Sequence, residues 1–358
     1  MKIRHLVIAA VLPLAACMQP SQNEKTQGNQ QAKVAPGSPY DGLRFEDVSA
    51  PGAPFKPPAN LETEVILDRL GFSSGVIDGK ATRLDEMALR GFQEANGLAP
   101  TGSLDDATRN ALSRVRVEPV RTVRIPDAFA KGPFVPDLPS ETSKQAAYDH
   151  LGYRNLMEAL AERFHTTPDT IAALNGPGAT IGANAVVRVP NVADVDTVAL
   201  GTDERGWNET LMTLGVAPNQ SKAEKVFVSK SAGTLRAFDG EGKLLVQFPV
   251  TTGSKHDPLP IGTWKVLGVS RNPDYHFNPK LFWDVSDKQP DRLLKPGPNG
   301  PVGVVWIDLS KDHYGIHGTG EPASIGQSES HGCVRLTNWD AARLAQMVKP
   351  GVAVIFEP

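Results

Sequence analysis

The spacing of apolar residues changes character along this chain, and that change limits the folds open to it. Over residues 60–115, Leu61, Val65, Leu67 and Leu70 recur at helical spacing, followed by Met87, Leu89 and Phe92, then Leu104, Thr108 and Leu112. Gly71-Phe72, Ile77-Asp78-Gly79 and Asn96-Gly97 separate these runs. A period near 3.6 with glycine punctuation predicts a small three-helix bundle. Over residues 225–358 the pattern shortens. Val226-Phe-Val228, Leu235-Arg-Ala-Phe238 and Leu244 to Val250 alternate or run apolar, and Asp239-Gly240-Glu241-Gly242 forms a hairpin turn. Further strands are predicted over Thr263 to Val269, Val304 to Ile307 and Val352 to Phe356. One helix is predicted from Trp339 to Val348, capped by Asn338, with Gly351 beyond its end. This segment reads as a mostly β domain with a helix near its end.

Between these lies a smaller unit over 141–191. Leu156, Leu160, Ala161 and Phe164 form one helical stripe. Ile171, Ala172 and Leu174 form a second, ended by Asn175-Gly176, and Val186 to Pro190 reads as a short strand. Prolines at 119, 126, 133, 136 and 139 predict a stiff, extended linker over 116–140. Residues 18–59 are rich in Gln, Ser, Pro, Gly and Lys and lack an apolar period, so they read as a flexible tether. The composition, 40% hydrophobic and 22% charged over 358 residues, is that of a soluble multidomain protein. The net charge of −3 gives no reason to expect a nucleic-acid partner.

The chain has two cysteines. The first follows an export-like start: Lys2 and Arg4, an apolar Leu6 to Leu14 too short to cross a bilayer, then Leu14-Ala15-Ala16-Cys17. This resembles the bacterial lipobox. The resemblance implies a signal peptide over 1–17, lipidation of Cys17 and a stable membrane anchor, since stable anchoring takes more than one acyl chain. Met18 stands where an aspartate would retain the protein at the inner membrane. That implies the outer membrane of a Gram-negative cell, facing the periplasm. Cys333 is then an odd thiol in an oxidising compartment, where structural cysteines come in pairs.

Cys333 lies in Ser330-His331-Gly332-Cys333-Val334-Arg335-Leu336, with His317-Gly318-Thr319 upstream. A thiol among glycines and histidines has the composition of a nucleophilic site, because an imidazole removes the proton that the attacking sulfur must lose. These residues, with Thr251-Thr-Gly253 and Pro260-Ile-Gly262-Thr-Trp264, resemble the YkuD-type L,D-transpeptidases. The resemblance implies Cys333 as nucleophile and His317 as base, its tautomer fixed by a main-chain carbonyl at Gly318. It implies an oxyanion hole from the N–H groups of Gly332 and Cys333, with His331 in support. Arg335, Ser330, Gly318 and Thr319 become substrate contacts, the Arg335 fork holding a stem-peptide carboxylate. No metal or cofactor is needed for that chemistry. A zinc site from His313, His317, His331 and Cys333 matches no zinc spacing, and His313 reads as a surface or strand residue. Trp264, Trp283 and Trp306 either line the groove or pack in the core. Tyr275 and His276 fall in a Pro/Asn-rich loop over 270–300, a candidate lid.

The upstream units also carry resemblances. Leu-Gly-Phe, Ile-Asp-Gly, Phe-Gln…Asn-Gly-Leu and Thr-Gly-x-Leu-Asp in 60–115 resemble the three-helix peptidoglycan-binding domain, except that Lys80-Ala81-Thr82-Arg83 replaces a Gly-containing loop. Glu158 to Phe164 with Ile171 to Asn175 resembles a LysM module, which binds N-acetylglucosamine-containing glycans. The fold expected is thus a three-helix bundle, a small α/β LysM-like module and a mostly β catalytic domain. The partners implied are the glycan strands and stem peptides of peptidoglycan. The acyl acceptor stays open among a second stem, an outer-membrane lipoprotein and water, the last giving a carboxypeptidase or a hydrolase that releases wall-linked lipoprotein. A non-enzymatic wall-binding lipoprotein is the competing class, against which an intact thiol and base argue.

Overall fold

The computed structural model describes residues 39–49, 55–281, 285–286 and 288–358. The signal segment, Cys17, the first part of the tether and Trp283 lie outside these. The N-terminal bundle contains α1 (Leu61–Arg69), α2 (Arg83–Ala95) and α3 (Asp106–Leu112). A capping box starts α2: the Thr82 side chain accepts from the helix backbone, and the Asp85 side chain accepts from the Thr82 N–H. Ile66, Leu67, Phe72, Ala88, Leu89, Phe92 and Leu112 close its core.

The next unit begins earlier than its apolar stripes suggest. The linker expected over 116–140 instead holds a strand, β2 (Val120–Arg124), and a short helix, α4 (Asp127–Lys131). Pro119 precedes the strand, and Pro126, which caps α4, follows it. These prolines therefore bracket elements, where a missing N–H and a fixed φ are tolerated, and do not stiffen an extended spacer. The β2 strand pairs antiparallel with β3 (Val186–Pro190) across α6 (Leu156–Arg163) and α7 (Pro168–Asn175). The module's first strand thus precedes the 141–191 boundary, and the intervening chain includes α5 (Thr142–Gln145). Asn155 caps α6 and Thr167 caps α7, with Pro168 at its first position. The end of the expected tether packs here too. The short β1 (Glu46–Asp47) pairs with β2, and Phe45 is buried edge-on between Phe129 and Phe164, 4.9 and 5.0 Å away.

The C-terminal domain is built on an eight-stranded sheet. Its strands are β4 (Lys225–Ser229), β5 (Thr234–Phe238), β6 (Leu244–Pro249), β7 (Gly262–Arg271), β10 (Val305–Leu309), β11 (Gly315–His317), β12 (Val334–Arg335) and β13 (Ala353–Glu357). Their order is β12-β11-β10-β7-β13-β4-β5-β6. Two helices pack on it: α8 (Trp207–Leu214), which was not anticipated, and α9 (Asn338–Met347). Thr337, not Asn338, caps α9 by accepting from the Asp340 N–H. Asn338 turns inward instead. The loop over 270–300 carries a hairpin, β8 (Tyr275–Phe277) with β9 (Arg292–Leu294). Phe277 and Leu294 pack against Leu138 and Leu151 of the middle module.

The bundle is fastened to the outer edge of the sheet. Ser73 N–H donates to the Gln247 carbonyl and Gln247 N–H to the Gly71 carbonyl, each at 3.0 Å. Gly91 of α2 lies directly on the Gln247 amide, since a Cβ there would stand 2.7 Å from its Cδ.

Candidate active site

Strand pairing sets the site. His317 ends β11 and lies beside Arg335 in the parallel partner β12. Cys333 precedes Arg335 by two positions, just before β12, and both side chains line the same cavity. On the other flank His317 faces Trp306 of β10, and their rings stack with centroids 5.7 Å apart. Gly315 makes room for that indole, because a Cβ there would stand 2.5 Å from it.

The loop carrying the cysteine is held by its main chain. Arg335 and Thr251 exchange backbone hydrogen bonds of 2.8 and 3.1 Å. Ser330 N–H donates to Thr252 and Ser254 N–H to Ser330, both at 3.1 Å. The Ser330 hydroxyl donates to the Cys333 carbonyl at 2.6 Å, so this side chain braces the loop from its buried position. Gly332 has φ +105°, a region that only glycine adopts freely, and a Cβ would meet the Tyr314 ring at 2.7 Å.

His317 is buried, and its Nδ1 lies 2.7 Å from the Gly318 carbonyl. A carbonyl only accepts, so Nδ1 carries the proton and Nε2 keeps its lone pair. Gly318 acts here through its carbonyl; it is buried behind the cavity and not on its wall. The Cys333 thiol approaches the His313 carbonyl at 3.8 Å. His313 is exposed, as its sequence context suggests, and its main chain, at φ +67°, brings that carbonyl to the sulfur.

Cys333, His317, His331, Arg335, Ser330 and Thr319 line one cavity of about 840 Å³. Trp306, Tyr314, Tyr275 and His276 are among its other catalytic-domain walls. Trp264 lies off the cavity, with its indole N–H donating to the Pro260 carbonyl at 2.9 Å. Ser140 to Ser143, Gln145 and Arg154 of the middle module form a further wall that no motif announced. The position of Trp306 was accessible from its strand, where Val305, Ile307 and Leu309 are buried and Trp306 and Asp308 take the opposite face. Among the described residues no group of three or more His, Cys, Asp or Glu side chains is arranged to hold a metal ion.

Burial pushes the Cys333 thiol up, with the Gly315 N–H and the Arg335 charge pulling the other way. Burial and the Arg335 charge push His317 down to about 4, against the Gly318 carbonyl. At neutral pH the cavity thus holds a thiol and a neutral imidazole. Alkylation of Cys333 by iodoacetamide is expected to be slower at pH 7 than that of a free cysteine and to keep rising beyond pH ~8.5. A rate plateau at neutral pH would contradict this. The stability sign follows from the same shift. Between about 4 and the usual 6.5 the unfolded chain binds the extra proton, so His317 makes folding less favourable as pH falls through that window.

Residues 223–356 match the YkuD family, described as "L,D-transpeptidase catalytic domain", and residues 62–112 match "Putative peptidoglycan binding domain". The chain thus carries an L,D-transpeptidase catalytic domain and is an enzyme of that class. "Putative L,D-transpeptidase YkuD" of Bacillus licheniformis is 27% identical over 204 residues, covering 56% of this chain and 93% of that protein. The protein of the same name from Bacillus subtilis is 33% identical over 129 residues, covering 36% and 63%. A solved structure, "L,D-transpeptidase from Mycobacterium smegmatis", overlaps 38% of this chain and 59% of that chain at 22% identity and a TM-score of 0.32.

Proposed function

We propose that this enzyme transfers acyl groups between peptidoglycan stem peptides through a thioester on Cys333. The observation that carries the reading is the convergence, in one peptide-sized cavity, of a thiol, a base with its proton fixed on Nδ1, and a guanidinium charge. Sγ attacks the carbonyl of the third stem residue while His317 Nε2 takes the thiol proton. The oxyanion forms beside the N–H groups of Gly332 and Cys333. His317 then protonates the departing nitrogen of the terminal D-alanine, leaving the thioester. An amine acceptor attacks that carbonyl, loses a proton to His317, and the sulfur leaves and regains its proton. Arg335 holds a substrate carboxylate, with Thr319 and His331 beside it.

The remaining parts of the reading concern delivery to the wall. The paired strands β2 and β3 around α6 and α7 support a LysM-like glycan reader. The lipobox-like Cys17 supports a lipid anchor in the outer membrane, with the catalytic domain in the periplasm. The acceptor is a second stem, giving a 3→3 crosslink, or an outer-membrane lipoprotein amine.

The test is incubation of the purified protein with a disaccharide-tetrapeptide, followed by mass spectrometry. The expected products are free D-alanine, an acyl adduct on Cys333 and 3→3 dimers. Adding a lipoprotein lysine peptide is expected to divert acyl groups to it if that amine is the acceptor. Hydrolysed tripeptide alone would indicate a carboxypeptidase. Binding of the muropeptide with neither adduct nor D-alanine would leave only a wall-binding lipoprotein.

A further inference from the structure

The peptide that fixes the base is supported from outside the catalytic domain. Asn338, the first residue of α9, is buried, and its amide reaches three separate stretches of chain. Its Oδ1 accepts from the Val304 N–H at 3.2 Å. Its Nδ2 donates to the Pro298 carbonyl at 3.0 Å and to both carboxyl oxygens of Glu162 at 3.1 Å. The Val304 N–H can only donate and the Pro298 carbonyl can only accept. The amide therefore has one orientation, with its NH₂ toward Glu162.

Gly318 and Gly303 lie flat against that same amide. A Cβ built on either would stand 2.3 or 2.0 Å from Asn338 Oδ1. The Gly318 N–H is also held, at 3.4 Å, by the Val305 carbonyl next to the residue that Asn338 anchors. The carbonyl that holds His317 Nδ1 thus belongs to a peptide resting on Asn338, and Asn338 rests on Glu162. Glu162 comes from α6 of the middle module, outside the 223–356 match. It is buried, and Tyr153 of the same module donates to its Oε2 at 3.0 Å. Burial pushes its carboxyl up to about 8, opposed by the bonds from Asn338 and Tyr153.

We propose that Glu162 is a positioning residue for acyl transfer: through Asn338 it sets the Gly318 peptide and thereby the tautomer of His317. The middle module is then part of the catalytic unit. A remote group that fixes the orientation of a reacting one is a recurrent second layer of active sites. The inference rests on the reading of His317 as the base.

Nitrogen NMR of the full chain labelled with ¹⁵N-histidine reads the tautomer directly. In the unaltered protein His317 is expected as the Nδ1–H form. Glu162→Leu is expected to give a tautomer mixture and to slow carbapenem acylation of Cys333 about ten- to a hundredfold. Glu162→Gln keeps an acceptor of similar volume and is expected to restore both. Ile171→Ala, in the hydrophobic core of the same module, controls for lost stability and is expected to leave the tautomer unchanged. An unshifted tautomer in Glu162→Leu overturns the proposal, as does an equal shift in Ile171→Ala. A shifted tautomer with unchanged acylation would show that the link exists but overturn His317 as base, and with it the part of Glu162 in transfer.

Discussion

Replacing Cys333 with alanine is expected to abolish carbapenem labelling and to lower D-alanine release from a tetrapeptide stem by on the order of 10⁴-fold or more, the scale seen when a nucleophile is removed. The fold is expected to survive. The loop is held by Ser330 on the Cys333 carbonyl and by the Thr251–Arg335 backbone pair, none of which uses the sulfur. The thiol is half-buried and its contact with the His313 carbonyl is long, so its loss leaves no strongly bonded group stranded. Melting temperature and retention on a muropeptide column should therefore match the parent protein. Release of D-alanine at the parental rate by Cys333→Ala would sink the covalent mechanism.

Asp68→Ala is expected to be the most destabilising single change outside the site. Asp68 of α1 is buried and accepts from both Arg343 Nη1 and Nη2 of α9 at 2.9 Å. His165 of the middle module places Nδ1 3.0 Å from the same carboxylate and Nε2 2.8 Å from the Leu214 carbonyl. The His165 ring stacks on Trp339 at 4.9 Å. All three folded units thus meet on one carboxylate. Removing it strands the Arg343 charge with Asp340 alone, at 3.1 Å. Breaking a buried pair from one side costs about 3–5 kcal/mol. Urea unfolding should show the midpoint fall accordingly, and a loss below about 1 kcal/mol would be inconsistent with a buried pair. The pH dependence has a definite sign. Burial alone would raise the Asp68 carboxyl, but Arg343 and His165 hold it well below the usual carboxylate range. Its stabilisation is complete above the ordinary Asp value of ~3.9 and is lost as pH falls below it. Asp68→Asn should flatten that acid limb.

The parts of this protein readable from sequence are those whose physics is local. The bundle helices carry their own apolar stripes and glycine stops. The strands β4 to β6 have an alternating pattern and a clear turn. The cysteine loop is dense in residues with few structural uses. What escaped depended on distant partners. The strand β2 is five residues flanked by prolines, and only pairing with β3, about sixty positions on, makes it a strand. Asn338 has the right chemistry for a cap, but Thr337 already fills that role, which frees the amide to turn inward. The helix α8 had a legible signal in Trp207, Leu211 and Leu214 with Gly215 in the left-handed region after it. Nothing in Ser140 to Gln145 distinguishes a cavity wall from a polar loop, because its meaning comes from the chain it faces.

The hydrogen bonds between Gly71, Ser73 and Gln247 bear on how this protein can be divided. An open strand edge invites pairing with another chain, and here the bundle occupies that edge. Cutting at the start of the catalytic match would remove the backbone partners of Gln247 on the edge of β6 and withdraw Glu162 from beneath Asn338. The unit that matches the catalytic family is therefore smaller than the unit whose contacts hold its edge and its loop. The upstream modules thus brace the catalytic sheet at two places, its β6 edge and the loop beneath Asn338.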